Sequence, residues 1–280
     1  MSNLNAGNGV DRLVVRACSG FEELDACVDL QRQTWGNDDE ALVPRRVFVV
    51  TRRIGGQAIG AFTESGAMAG FAMALPGWRN GQVYLHSHKL AVRPEYRNRG
   101  VGRRLKLAQR ADALERGIRL MEWTFDPLEI KNAFFNVEKL GAIARSYSSN
   151  FYGVSSARLQ DGLPSDRLHA EWWLDSERVM RALAGECPSA ERPHSQVEDR
   201  IELPAGVMEW KESAARQERA LAVQTMNRER FQMAFARGLA VIGFVRDQAG
   251  NGIFELGRWN AAGPEQSGQK EKHAIMSEVL

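Results

Sequence analysis

The chain has 280 residues, 44% of them apolar and 26% charged, with 37 basic and 35 acidic side chains and a net charge of +2. This leaves room for about two domains with a sizeable core, excludes a mainly disordered or collagen-like chain, and argues against wholesale binding to nucleic acid or membrane. There is no run of 18 apolar residues, no apolar signal-peptide core in MSNLNAGNGVDR, and no metal-ligand spacing among Cys18, Cys27 and Cys187. A reducing, cytoplasmic setting without structural zinc or a disulfide framework is therefore expected.

In chain order, residues 1–11 read as a disordered start and RLVVRAC (12–18) as a strand. Ser19 then heads a helix in which Glu22, three residues on, completes a capping box. A second helix runs from Pro44 to Arg53. QAIGAFT and GAMAGFAMAL follow as strands around the Glu64–Ser65–Gly66 turn, with Pro76–Gly77 closing the second. VYLHSHKLAV (83–92) is a strand rich in branched and aromatic residues. A helix over 101–116 has apolar residues at spacings of three and four. RLMEWTF (119–125) is a strand, and a short helix covers 129–140. AIARSY and NFYG read as broken strand, and LHAEWWL (168–174) as a strand packed on both faces. Residues 179–199 are polar, with two prolines, and read as a linker. Beyond them lie a strand (201–203), helical material (209–237) in which Asn227 could cap a helix, and two strands joined by DQAGNG. A flexible tail covers 261–280. The order of elements is α+β, divided into a domain over 12–178 and a smaller α+β extension over 200–260.

Charge is uneven along this chain. Residues 93–106 hold six basic side chains and one acid, a net +5, which leaves −3 for the remainder. Here a strand ends, a short loop carries Arg97, Asn98, Arg99, Gly100, Val101 and Gly102, and a helix starts. The first turn of a helix offers amides without intrahelical partners and a positive dipole end. Gly100 and Gly102 clear the approach, and Arg97, Arg99, Arg103 and Arg104 add positive potential. The result is an anion cradle suited to a pyrophosphate. It is neither a P-loop, whose glycine spacing and Lys-Ser/Thr are missing, nor a dinucleotide fingerprint, whose third glycine is replaced by Leu105.

The segment LAVRPEYRNRGVGRRL (90–105) resembles the acyl-CoA signature of the GNAT N-acetyltransferase superfamily, and NAFFNVEKLGA (132–142) resembles the helix that follows its next strand. The likeness spans 12 to about 175, roughly 60% of the chain, in a pattern like that of a bacterial branch of predicted GNAT acyltransferases with a C-terminal extension. It implies a mixed, mostly antiparallel sheet flanked by helices. It also implies loop amides that hold the coenzyme A pyrophosphate, and a preceding strand (Leu90, Ala91, Val92) that splays from its neighbour to pair with the pantetheine arm. Asn132 or Asn136 would touch the coenzyme. Many members place a Tyr four residues before the glycine that ends the helix; here that position is Val137.

Candidate proton-transfer groups are His86 and His88, two apart and so on one face of their strand, and Glu122 on the next strand. Asp126 ends that strand, and Tyr147 or Tyr152 could replace the missing acid. Trp172 and Trp173 could line an acceptor pocket, with one of the two in the core. The resulting expectation is an acyl-CoA-dependent N-acyltransferase. Acetyl-CoA is its co-substrate, a small-molecule amine its acceptor and a homodimer a possible assembly, with no metal, nucleic acid or membrane required. The alternative is a non-catalytic CoA-binding module.

Overall fold

The computed structural model describes residues 12–36, 42–153, 163–189 and 196–259; the expected disordered start and flexible tail lie outside these. Among the described residues ten strands form one sheet: β1 Val14–Ala17, β2 Gln57–Phe62, β3 Met68–Arg79, β4 Gln82–Val92, β5 Leu120–Phe125, β6 Ile143–Ser148, β7 Arg167–Trp173, β8 Asp199–Leu203, β9 Leu239–Arg246 and β10 Gly252–Arg258. The spatial order is β1-β2-β3-β4-β5-β7-β6-β9-β10-β8. Every neighbouring pair is antiparallel except β4–β5, which is parallel. This is the mixed, mostly antiparallel α+β architecture expected.

Helices cover both faces. α1 (Gly20–Trp35) and α2 (Arg45–Arg53) pack with Ala58, Phe62, Phe71, Met73 and Ala91. α3 (Val101–Glu115) packs with the alternate residues Ile59, Ala61, Ala69 and Ala72. That is why all six positions of β2 are buried and why QAIGAF lacks polar alternation. A larger core lies farther along the sheet, where Trp172, Phe231, Phe244 and Phe254 meet.

Several sequence expectations are corrected. β3 does not stop at Pro76–Gly77 but runs to Arg79. Past Gln57↔Ala74 it pairs with β4 alone, so Pro76 has no strand on its other side that would need its missing N–H. Ser19 makes no side-chain cap. Its backbone N–H donates instead to Glu23, which also grips Arg16 at 2.8 Å, so Glu22 is not the capping partner. NFYG is a turn, with Asn150 left-handed at φ 47°. The expected linker is entered by α5 (Glu177–Ala184), capped by the Ser176 hydroxyl. The material over 209–237 is two helices, α6 (Val207–Glu212) and α7 (Gln217–Ala236). Asn227 is buried within α7, where its amide donates to the Glu202 carbonyl at 3.0 Å, and caps nothing.

The extension continues the same sheet: β9 joins β6 through Ala144↔Val241, and β10 and β8 follow. Three buried or half-buried carboxylates clip it down. Glu138 accepts from the Phe244 amide at 2.8 Å and from Ser189. Asp126 holds Lys211 at 2.6 Å. The fully buried Asp166 accepts from Tyr147 at 2.6 Å and from Arg228 at 2.8 Å.

Candidate active site

The basic segment forms an open corner. After β4 a 3-10 turn (Pro94–Tyr96) leads through residues 97–100, all exposed, into α3. Two left-handed residues, Asn98 (φ 59°) and Gly100 (φ 78°), make the bend, and Asn and Gly are the types that tolerate that conformation. Gly100 caps α3 without a side-chain acceptor, which leaves the first-turn amides to whatever occupies the space in front. That space is clear. A Cβ on Gly100 would meet nothing within 4 Å, and one on Gly102 would meet only Leu90 Cδ2, at 3.7 Å. Val101 is buried and anchors the turn.

The arginines brace this corner as well as charging it. Arg93 donates to the Met68 carbonyl at 2.6 Å, Arg97 to Val92 at 3.1 Å and Arg104 to Leu13 at 2.5 Å. Arg103 reaches sideways to the Leu183 carbonyl at 2.8 Å, so one of its N–H groups ties α3 to α5. Arg99 is exposed at the tip.

Beside the corner, β4 leaves β5. Only Leu85↔Met121 and His86↔Glu122 pair, although β4 runs on to Val92. Leu90, Ala91 and Val92 keep β3 on one edge and have no β5 partner on the other. A bulge coincides with the split: Met73 faces Lys89 while Ala74 faces Ser87, so His88 is the extra residue. The bulge resets the alternation. Ser87 turns to α3 and bonds Gln109, and Leu90 and Val92 pack on that same side. Lys89 lies on the opposite side, 4.6 Å from the Trp35 ring of α1. His86 and His88 sit together, ring centroids 6.1 Å apart.

One polar face results. Across it stand His86 and His88 on β4, Glu122 and Thr124 on β5, and His169 opposite Thr124 on β7. Burial, then the neighbouring His88, His169 and Lys106, push His86 down to about 4. Burial likewise lowers His88 and His169, which favours the neutral imidazole in each. Burial raises Glu122, but Arg79 pairs with it at 2.5 Å and opposes the rise. Tyr152 reaches the face from the β6–β7 turn, with its hydroxyl 2.9 Å from Thr124 Oγ1. Phe151 stacks edge-on against His169, whose Nε2 lies 2.8 Å from Ser148 Oγ.

His86, His88, Glu122 and Tyr152 are therefore brought to one face, and the loop residues to the adjoining corner. Other candidates are placed elsewhere. Val137 is 1% exposed, in a π-helical turn (Phe135–Lys139) that continues α4 (Ile130–Phe134). Asn132, on α4, is half-buried and accepts from Asn136 at 3.2 Å. Tyr147 points to Asp166, and burial first, then that bond, hold its hydroxyl well above the usual phenol range. Asp126 is occupied by Lys211 and by the Leu128 amide. Trp172 is core, and its indole donates to the Leu140 carbonyl; Trp173 lies half-buried on the histidine face and donates to Glu171. Sequence reasoning missed His169 and Arg79. His169 was marked only by sharing its parity with Glu171 and Trp173. Arg79 was hidden by ending β3 too early. Among the described residues no group of three or more His, Cys, Asp or Glu could hold a metal ion.

Residues 22–141 match the sequence model of the acetyltransferase (GNAT) family. Solved structures similar to this chain include the ribosomal-protein-S18-alanine N-acetyltransferase of Escherichia coli, with 17% identity over 59% of this chain and 95% of that one and a TM-score of 0.46. Ard1 of Thermoplasma volcanium has 13% identity over 57% and 96%, with a TM-score of 0.45. An aminoglycoside 6'-N-acetyltransferase complexed with coenzyme A has 16% identity over 59% and 98%, with a TM-score of 0.45. No curated protein matches the chain.

Proposed function

Because residues 22–141 form a domain of the acetyltransferase (GNAT) family, we propose that this chain transfers an acyl group, acetyl in the first instance, from acyl-CoA to a primary amine by direct attack. One observation carries the reading. An exposed, double left-handed bend opens onto the bare N-terminus of α3, beside a β4 that has just parted from β5. A diphosphate fits that corner, since a helix start with Gly100 and Gly102 admits oxygens to the main-chain amides. The stretch Leu90–Val92, open on the edge away from β3, suits an extended amide-bearing arm, and one of its N–H groups would polarise the thioester carbonyl.

The amine attacks the carbonyl carbon in its deprotonated form, the C–S bond breaks, and coenzyme A leaves as thiolate. Holding both reactants in register supplies about 7–11 kcal/mol of barrier reduction. His86, neutral and beside the split, is positioned to accept the proton that the amine nitrogen sheds as it bonds to carbon. A thiolate is stable enough to leave without an obligatory acid, which accommodates Val137 in the core. Asn132 would flank the coenzyme from α4. Calorimetric titration with acetyl-CoA tests the reading: saturable binding is expected, and none at millimolar concentration overturns it.

The buried Val137 also favours a second reading, a coenzyme A-responsive module without turnover. Tight binding with no thiol released across a broad amine panel would select it.

A further inference from the structure

On the opposite side of β4 from the histidines lies a lysine that the proposed chemistry does not use. Lys106, on the face of α3 that packs against the sheet, is 4% exposed. Among the described residues no carboxylate pairs with it. Its Nζ donates to Ser87 Oγ at 2.8 Å and stands 3.6 Å from the Trp123 ring. Ser87 is bonded in turn to Gln109 at 3.0 Å. Gln57 lies on the same side but donates to the Gln109 carbonyl and to Asp112. A cation held by one hydroxyl and one aromatic face is a poor stabiliser of a fold, and an apolar side chain of similar volume would fill this place at no loss.

Its position suggests what it does. Ser87 is the residue between His86 and His88, and Trp123 the residue between Glu122 and Thr124. The ammonium therefore sits directly beneath the strand pair that presents the polar face, at the bulge where β4 departs. We propose that Lys106 is a positioning residue for acyl transfer, acting through Ser87 to fix residues 86–88 beneath the polar face. This rests on the acyltransferase reading given above.

The electrostatics agree. Burial draws Lys106 down to about 7, and after burial, His88 and His169 it is the last of the influences that lower His86. The other groups facing His86 are His88 from β4, Glu122 with Arg79 from β5 and β3, and His169 from β7. The lysine's value lies below its unfolded one. Between about pH 7 and the ordinary lysine range the unfolded chain binds a proton that the folded chain does not, so the fold is weakened by this residue most at and below neutrality.

Lys106→Met and Lys106→Gln in the full chain test the idea. Lys106→Met should melt no lower than wild type and bind acetyl-CoA with unchanged affinity, yet lose about 10- to 100-fold in kcat. The acid limb of its pH–rate profile should move to higher pH. Lys106→Gln keeps a donor for Ser87 without the charge; it should recover part of kcat but not the position of the limb. Wild-type kcat with an unmoved limb in Lys106→Met overturns the proposal. Should the wild type bind no acetyl-CoA, the acyltransferase reading fails instead. NMR titration of His86 then decides this one, with a midpoint higher in Lys106→Met supporting it and an unmoved midpoint refuting it.

Discussion

β4 meets β5 through two residue pairs, and β6 meets β9 through one. At the first joint the parted strands leave β4 without a β5 partner beyond His86, and half-buried imidazoles and a carboxylate line the neighbouring face. At the second, the buried carboxylate of Glu138 reaches from the π-helical turn and takes the Phe244 amide, while Phe244 and Phe254 close the space with their rings 4.7 Å apart. Unpaired sheet backbone is costly wherever it is buried. The sealed joint satisfies it internally, whereas at the open one the edge of Leu90–Val92 that faces β5 has no strand partner. A weak strand pairing is thus not by itself a sign of a site; what distinguishes the two is whether this chain supplies its own partner.

The largest expected effect tests the open joint. His86→Gln should lower kcat by about 10²–10⁴-fold with little change in acetyl-CoA affinity. Divided by the free-base fraction of the amine, which falls about tenfold per pH unit here, the wild-type rate should hold from pH 7 down to about 5 and fall as His86 protonates near 4. Stability should follow the same direction. The unfolded imidazole binds its proton near 6.5 and the folded one near 4, so the contribution of His86 is complete above 6.5 and declines as pH falls through that interval. Urea midpoints between pH 7 and 4 read this, and they should flatten in the variant.

Gly102→Val comes next. The added side chain has room against Leu90 and points into the corner, so the fold should stand while acetyl-CoA binds at least about tenfold more weakly, or 1.4 kcal/mol. Equal affinity in a folded variant would remove the loop amides from the proposed diphosphate site.

Glu138→Ala addresses the sealed joint and should act oppositely. It strands the buried Phe244 amide, besides the half-buried donors of Ser189, and should cost about 1–3 kcal/mol for a buried donor left unmet, seen as a lower urea midpoint. Acetyl-CoA affinity of the folded fraction should not change. A loss of binding without loss of stability would mean that the two joints are coupled.

The legibility of these regions in the sequence follows the same division. The open corner was readable because its chemistry is local: two glycines, four arginines and a strand–helix junction lie within fifteen residues. The histidine pair was also local, although the bulge at His88 was invisible to simple alternation, and that bulge is why Ser87, Leu90 and Val92 share a side. What joins the extension was not readable. Glu138 meets Phe244 across 106 positions, Lys211 meets Asp126 across 85 and Arg228 meets Asp166 across 62, and no local pattern announces such pairs. The same holds for His169, which enters the face only through its register with Thr124. Pro76 misled because a proline usually ends a strand, whereas here it lies where β3 has a single neighbour.

The smallest effect is expected where the face is most exposed. Tyr152 touches Thr124 by one hydroxyl bond from a turn open to water. Tyr152→Phe should therefore change stability by no more than about 1 kcal/mol, with a similar coupling to Thr124→Val in a double-mutant cycle. If the thiolate leaves unaided, kcat should stay within about tenfold of wild type. A loss beyond about 100-fold, with acetyl-CoA affinity and the urea midpoint intact, would give Tyr152 the proton-donating role that Val137 cannot fill. It would also extend the working part of the open joint from β4 across to the β6–β7 turn.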